Sequence, residues 1–360
     1  MTKKRIIFVL PSLKAGGAER VISSIAKRLD RNLFEIKLIV FGFEKDSIYE
    51  LGDLDITFLK KNRVFNGIYP LYRLMKNEKP DIVFGSIRHI NVLLGFYNLI
   101  FRNISFIVRE SSVWSVMSKF SNSKVIIPYF LVNYLYNRMD GFVCQSNDIK
   151  NDLKVEFGIN DSKLTVINNP ITEIKRLPIK NNENTEIIKF ITVGRLSEEK
   201  GHERILRGLV KVKNYSYSYT IIGSGHLELK IKALANELGI IDKINFITYS
   251  SKIIDYLSDS DFFIQGSYVE GFPNSVLESC SVGTPVIAFN CPGGTKEIIC
   301  NGINGFLIHD QQHLVKTLEN LKGSCFFKRD EVIKSVSDKF SLEKIIAQYQ
   351  KLFLSNIKGS

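Results

Sequence analysis

The apolar positions of this chain fall into two rhythms that take turns: short, nearly unbroken runs, and longer stretches in which apolar residues recur at helical spacing. Arg5 to Pro11 is the first unbroken run and predicts a strand. Gly16-Gly17 then turns the chain. Val21, Ile22, Ile25, Ala26 and Leu29 share one face of the helix predicted over 18–29. Further strands are predicted at Phe34 to Phe41, Ile56 to Leu59, Asp81 to Gly85, Ser105 to Arg109, Gly141 to Gln145 and Lys163 to Ile167. Helices are predicted at Gly67 to Lys79 and Ile90 to Phe101, with a long helical stretch before residue 141.

Residues 173–188 break the rhythm. Lys180 to Glu186 is polar and rich in asparagine, the composition of a linker. The alternation then restarts, with strands at Phe190 to Val193, Tyr219 to Ile222, Ile244 to Ile247, Asp261 to Gln265 and Pro285 to Phe289. Gln311 to Leu321, Asp330 to Lys339 and Leu342 to Leu354 read as closing helices. Two such runs joined by a linker predict an α/β protein of two doubly wound, Rossmann-like domains facing across a cleft. The expected division is 1–172, a linker at 173–188, a second domain at 189–340, and a terminal helix at 341–360.

Composition narrows the class. A chain of 360 residues with 44% hydrophobic and 24% charged residues is that of a globular protein. His89 to Phe101 and Val125 to Asn137 are the most apolar stretches. Each stops at an arginine, short of the roughly 18 apolar residues that mark a membrane helix. Lys3, Lys4 and Arg5 precede an apolar run that is too short for a signal peptide, so a cytoplasmic protein is expected. Cys144, Cys280, Cys291, Cys300 and Cys325 form no CxxC pair and read as reduced core thiols. The net charge of +12 points to an anionic partner, and most of the excess lies in the first half.

Candidate chemistry gathers in loops placed after predicted strands. Glu270-Gly-Phe-Pro-Asn-Ser-Val-Leu-Glu278 puts one carboxylate in the loop beyond a strand and the second on the following helix, where Pro273 suits the first position. Ligands of open α/β sheets bind at that edge, and a helix N-terminus there offers N–H groups to an anion. Gly16-Gly17, Gly194-Arg195, Gly223-Ser-Gly225, Glu270-Gly271 and Pro292-Gly293-Gly294 all follow strands. Together they point to a phosphate-bearing ligand. Gly194-Arg-Leu-Ser-Glu-Glu-Lys-Gly201 adds cations: Arg195 for a fork on phosphate oxygens and Lys200 for a mobile point charge, suited to a leaving diphosphate.

Other chemistry finds less support. Gly223-Ser-Gly225 lacks the third glycine of a dinucleotide fingerprint, because Glu228 stands there. The triplets Asp53-Leu-Asp55 and Asp259-Ser-Asp261 precede strands and read as surface turns. His89, His202, His226, His309 and His313 lack metal-ligand spacing, so no metal is expected. Neither a hydrolase elbow nor a P-loop is present.

Taken together, these motifs resemble the family-4 glycosyltransferases of the GT-B fold. The resemblance runs from Pro-Ser-Leu-Lys-Ala-Gly-Gly-Ala-Glu-Arg through Val193 to Gly201, Gly223-Ser-Gly225 and Glu270 to Glu278, to Gly293-Gly-Thr-Lys-Glu297 and Gly302-Ile-Asn-Gly305. It implies a retaining enzyme without a cofactor, using a nucleotide sugar, with UDP preferred to GDP. It further implies that Gly16 and Gly17 lie near the donor phosphate. Gly194, Gly223 and Gly225 line the donor site, and Arg195 and Lys200 bind the diphosphate. Glu270 holds donor sugar hydroxyls, Phe272, Pro273, Asn274 and Ser275 shape the donor loop, and Glu278 binds the ribose. The last helix is expected to cross back to the first domain. Where relatives carry Glu-His-Ser, this chain has Arg109-Glu-Ser-Ser112, so Glu110 is the acceptor-side candidate.

The expected acceptor is a saccharide or a polyprenyl-diphosphate-linked one in bacterial surface polysaccharide synthesis. Basic residues interleave with aromatics over Lys60 to Lys76 and Lys119 to Arg138. That pattern predicts peripheral binding to an anionic membrane on the inner face of the plasma membrane. A sugar-nucleotide epimerase of the same fold is the alternative, as is a basic nucleic-acid-binding protein. No nucleic-acid motif supports the latter, and no nucleic-acid partner is expected.

Overall fold

The computed structural model describes residues 2–14, 16–49, 51–120, 128–171, 187–321 and 327–358. The linker expected at 173–188 lies almost wholly outside the described residues, as do Lys124 and Cys325. The chain forms two compact units. The first comprises Met1–Ser115, Ser121–Pro170 and Leu342–Ser360; the second comprises Val116–Phe120 and Ile171–Ser341.

The first unit begins β1 (Lys4–Leu10), α1 (Gly17–Arg28), β2 (Phe34–Val40), β3 (Asp55–Phe58) and α2 (Ile68–Glu78). It continues β4 (Ile82–Ser86), α3 (Arg88–Ile100), β5 (Ser105–Glu110), α4 (Trp114–Met117) and α5 (Tyr129–Arg138). It closes with β6 (Gly141–Cys144), α6 (Asn147–Phe157) and β7 (Leu164–Val166). The strands form a parallel sheet in the order β3-β2-β1-β4-β5-β6-β7. Of the helical stretch expected before residue 141, the described residues form α4, a turn of tighter helix over 118–120, and α5; residues 121–127 lie outside the described residues.

Alternation along β1 and β4 decides which helices each face receives. Phe8 and Phe84 point to one face, into the core cluster that also holds Ile22, Ile25 and Ala26 of α1. Gly85, the next residue of β4, faces Leu94 and Ile90 of α3 on the other side.

The second unit runs β8 (Ile187–Val193), α7 (His202–Leu209), β9 (Ser216–Ile222), α8 (Glu228–Glu237), β10 (Ile244–Ile247) and α9 (Ile253–Ser258). Then come β11 (Phe262–Gln265), α10 (Asn274–Ser281), β12 (Val286–Phe289), α11 (Thr295–Ile298), β13 (Gly305–Ile308), α12 (Gln311–Glu319) and α13 (Arg329–Phe340). Its parallel sheet has the order β10-β9-β8-β11-β12-β13. The sequence did not predict β13. Its apolar run is only Phe306-Leu307-Ile308, too short to signal a strand without its pairing to β12.

The final helix, α14 (Leu342–Ser355), belongs to the first unit. Tyr349 and Phe353 pack among Phe8, Phe34 and Phe84, with the Phe84 and Phe353 rings edge to face at 5.4 Å.

Candidate functional site

Strand order locates the site in the second unit. The chain leaves β8 toward β9 and β10, then returns to the other side of β8 for β11. Such a reversal opens a crevice at the carboxyl ends of the two strands, because their onward loops diverge. The loop after β8 carries Gly194, Arg195 and Lys200. The loop after β11 carries Glu270.

These loops are held together by backbone contact. Gly201 ends the turn carrying Lys200 in a left-handed conformation, φ 59° and ψ 35°. A Cβ there would collide with the carbonyl oxygen of Gly266. This close approach brings the Lys200 ammonium to 2.7 Å from Glu270 Oε1. Ser267 Oγ donates to the same oxygen at 2.5 Å, and Gln265 Nε2 at 3.3 Å. Thr295 Oγ1 in turn donates to Gln265 Oε1 at 3.1 Å and fixes its orientation. The Glu270 N–H is bonded to the carbonyl of Pro292 in the glycine loop after β12, at 2.9 Å. The Glu270 side chain is 11% exposed and that of Lys200 23%.

The remaining glycines have a packing reason of their own. Gly194 N–H donates to Ile222, and Leu196 N–H to Ser224, each at 3.0 Å. This leaves no room for a Cβ on Gly223, against the Gly194 carbonyl, or on Gly225, against Leu196. Gly223 and Gly225 thus lock the β8 and β9 loops together.

Arg195 departs from the paired picture. Its side chain is 72% exposed and its guanidinium bonds Glu199 Oε1 at 3.1 Å, so a diphosphate role requires it to exchange that partner. Phe272 and Pro273 are buried, and Phe272 packs against Phe340 with ring centroids 5.2 Å apart. Pro273 caps α10 rather than standing inside it. Asn274 and Ser275 begin that helix and are partly exposed, while Glu278 is buried within it at 7% exposure.

Sequence reasoning missed Arg204. Its guanidinium donates to the carbonyls of Gly266 and Ser267 and stacks over Tyr268 and Phe289, at 4.1 and 3.6 Å from their centroids. Burial brings its pKa down to about 10. Arg204 therefore fastens the strand end that carries Glu270. The only sequence signal was a cation inside the otherwise apolar inward face of α7. Arg204→Lys, which keeps the charge and loses the fork, is expected to lower turnover more than about 10-fold with a smaller change in melting temperature. Unchanged turnover would refute that role.

The first unit has its own reversal, between β1 and β4. Gly16 caps α1, and its N–H and carbonyl both bond the Tyr49 hydroxyl, at 3.0 and 2.9 Å. Gly17 begins the helix and is exposed. Beyond β4, Ile87 is held at φ 80°, an outlier for a β-branched residue. Arg88 follows and stacks 3.4 Å above the Trp114 ring. Arg109 is wholly buried and donates to Ser86 and Asn169. Burial raises the Glu19 carboxyl pKa, while a backbone hydrogen bond and the charge of Arg109 pull it down.

Glu110 ends β5 at 5% exposure and accepts from Asn91 Nδ2 at 2.6 Å and the Tyr136 hydroxyl at 2.7 Å. Burial raises its pKa, opposed by Arg88 and by these two donors. The carboxylate braces α3 and α5 against the sheet.

The two acidic triplets serve the sheets. Asp55 pairs with Lys37 at 3.3 Å, and Asp261 accepts the Lys189 N–H at 2.7 Å.

Residues 15–173 match the model of Glycosyltransferase Family 4, and residues 173–324 that of Glycosyl transferases group 1. The chain is similar to an uncharacterised glycosyltransferase of Haemophilus influenzae, 28% identical over 97% of this chain and 99% of the relative. It is also similar to the N-acetylgalactosamine-N,N'-diacetylbacillosaminyl-diphospho-undecaprenol 4-alpha-N-acetylgalactosaminyltransferase of Campylobacter jejuni, 26% identical over 82% and 84% of the two chains. Among solved structures it resembles the lipopolysaccharide outer core galactosyltransferase WaaB, with a TM-score of 0.77, 20% identity and coverage of 98% and 99%. Anabaena HepE in complex with UDP and glucose has a TM-score of 0.79, 17% identity and coverage of 98% and 100%.

Proposed function

Because the chain belongs to the family-4 glycosyltransferases of the GT-B fold, we propose that it transfers a sugar, with retention of configuration, from a UDP-sugar to a lipid-linked saccharide acceptor in the synthesis of a bacterial surface polysaccharide. The observation that carries the donor side is the Lys200–Glu270 pair at the reversal of the second sheet. A leaving diphosphate needs positive charge where the glycosidic bond breaks, and a donor sugar needs hydrogen-bond acceptors for its hydroxyls. The pair offers both side by side.

In this reading Lys200 moves from Glu270 to the diphosphate as the donor enters. Arg195 exchanges Glu199 for phosphate oxygens. Glu270 Oε1 keeps Ser267 and Gln265 and turns its second oxygen to sugar hydroxyls. Glu278 meets the ribose from α10, beside the backbone of Phe272 to Ser275. Gly16 and Gly17 are assigned to the donor phosphate by the family resemblance alone. The leaving diphosphate helps take the acceptor proton, so that positioning and charge stabilisation supply the catalysis. Glu110 acts on the acceptor side as a positioning residue, through Asn91 and Tyr136.

The names of the relatives support the acceptor and the donor base. The Campylobacter enzyme is named for an undecaprenol-diphosphate acceptor, and HepE binds UDP. A lipid-linked acceptor is met at a membrane surface, so we place this protein as a peripheral one on the inner face of the plasma membrane.

A screen of nucleotide sugars by thermal shift tests the donor. A ligand at 100 times its Kd adds about 2.7 kcal/mol to the native state. UDP-sugars are expected to raise the melting temperature more than GDP-sugars, and activity is expected to survive EDTA. Loss of turnover with EDTA, restored by manganese, would overturn the metal-free reading. An inverted anomer by NMR would overturn retention.

A further inference from the structure

Three helices of the first unit lie side by side on one face of its sheet. Tyr97 of α3 donates to the Ile68 carbonyl of α2 at 2.5 Å, and the Tyr72 and Phe101 rings meet at 5.3 Å. On its other flank α3 presents Gly95 to Leu135 of α5, and Asn98 there donates to the Arg138 carbonyl and, at 3.3 Å, to the Asp140 carboxylate. With both flanks and the sheet side occupied, the outward direction of α3 is left to Phe96 and Ile100, 41% and 57% exposed. Outward on α5 are Phe130 and Tyr134, at 74% and 49%. On α2 and the turn before it stand Phe65 and Tyr69, at 80% and 68%.

Cations stand next to these apolar groups along the chain. Arg63, Arg73, Lys76, Arg102 and Arg138 are all exposed, and Arg138 lies 5.0 Å from the Tyr134 ring centre. Over 64–78, 88–100 and 129–138 the sequence holds one acid, Glu78, and it is turned away to Lys37 at 2.6 Å. Other parts of the basic-aromatic pattern are spent elsewhere. Tyr136 is buried on Glu110, Tyr129 stacks on Phe157, and Phe120 stacks on Tyr268 in the second unit.

We propose that the outward face of α2, α3 and α5 is a membrane-docking surface: Phe65, Tyr69, Phe96, Ile100, Phe130 and Tyr134 enter the headgroup region of an anionic bilayer while the surrounding arginines and lysines meet lipid phosphates. It deepens the lipid-linked acceptor reading and rests on it. Aromatic rings favour the level of the headgroups, and clustered cations are drawn to an anionic leaflet. A second copy of the chain is disfavoured as occupant, because a self-complementary contact would set this cationic face against itself.

The test uses the full chain. Phe130→Trp places a reporter on α5, with Trp114 as the one native tryptophan. On phosphatidylglycerol vesicles with brominated acyl chains, its added fluorescence is expected to be quenched. The combined variant Phe65→Ser, Tyr69→Ser, Phe130→Ser and Tyr134→Ser is expected to bind such vesicles at least about 10-fold more weakly in co-sedimentation, as is Arg73→Glu with Arg138→Glu. Both should retain turnover on an acceptor with a short, soluble lipid. No quenching together with unchanged vesicle affinity in both variants would overturn the surface, as would a dimer in sedimentation that the serine variant abolishes. Vesicle binding without transfer to any lipid-linked acceptor would leave the surface standing and remove the acceptor reading. Transfer in detergent without vesicle binding would do the reverse.

Discussion

Lys200→Ala is expected to lower kcat/KM for the nucleotide sugar by about 10²-fold or more, because the proposed charge-assisted contact to the leaving group in a closed site would contribute roughly 2–4 kcal/mol to the transition state. Glu270→Gln is expected to cut turnover while nucleoside diphosphate binding stays mostly intact, since the amide keeps an acceptor for Ser267 and loses the charge facing Lys200. The two side chains touch at 2.7 Å, so their effects should not add. Removing either partner releases the other into a wrong contact, and the double variant is expected to lose less than the product of the single losses. Steady-state kinetics on the four proteins, with nucleoside diphosphate titration alongside, decides the matter. Full additivity would mean that the pair does not work as a unit. Normal turnover in Lys200→Ala would remove that lysine from the site. Glu278→Ala, in contrast, should weaken nucleotide binding itself.

The second large effect is expected from Gly201→Ala. A left-handed conformation costs a non-glycine residue roughly 1–2 kcal/mol. Here the added methyl also meets the Gly266 carbonyl, which is backbone and cannot swing aside. Forcing the two loops apart adds a cost like that of overpacking, about 1–3 kcal/mol. The combined loss, roughly 2–5 kcal/mol, should lower the melting temperature of the second unit. It should also withdraw Lys200 from Glu270, so turnover falls in the protein that remains folded. Gly239→Ala is the control, since Gly239 has φ 67° with no atom near its Cβ position. It should show the conformational cost alone and normal kinetics. If the two variants melt together, the close approach at Gly201 carries no energy. Calorimetry with activity at a temperature below both transitions makes the comparison.

The contrast between these residues shows how far the chain could be read in advance. Twelve of the strands were expected from short apolar runs; β4 and β5 are buried throughout, as a parallel sheet covered on both faces demands, whereas Glu35 and Lys37 interrupt β2. The positions of the loops bearing Gly194 to Gly201 and Glu270 to Glu278, each at the carboxyl end of a strand, were legible from the apolar runs before them. The family followed from the set of these motifs, and the basic-aromatic stretches were visible as composition.

Tertiary structure alone decided the pairings. Lys200 meets Glu270 because β11 lies beside β8, and strand order is a long-range property that no local pattern encodes. The same holds for Arg204, whose carbonyl partners belong to the strand end brought alongside it. Gly223 and Gly225 read as phosphate-binding glycines, yet their lack of a Cβ also serves a neighbouring loop. For the proposed membrane surface the sequence supplied the rings and cations, and packing sorted them. Tyr136 went inward to Glu110, and Phe130 and Tyr134 went outward, because a helix wedged between a sheet and a neighbouring helix has one free direction, and its phase is set by which side chains the core accepts.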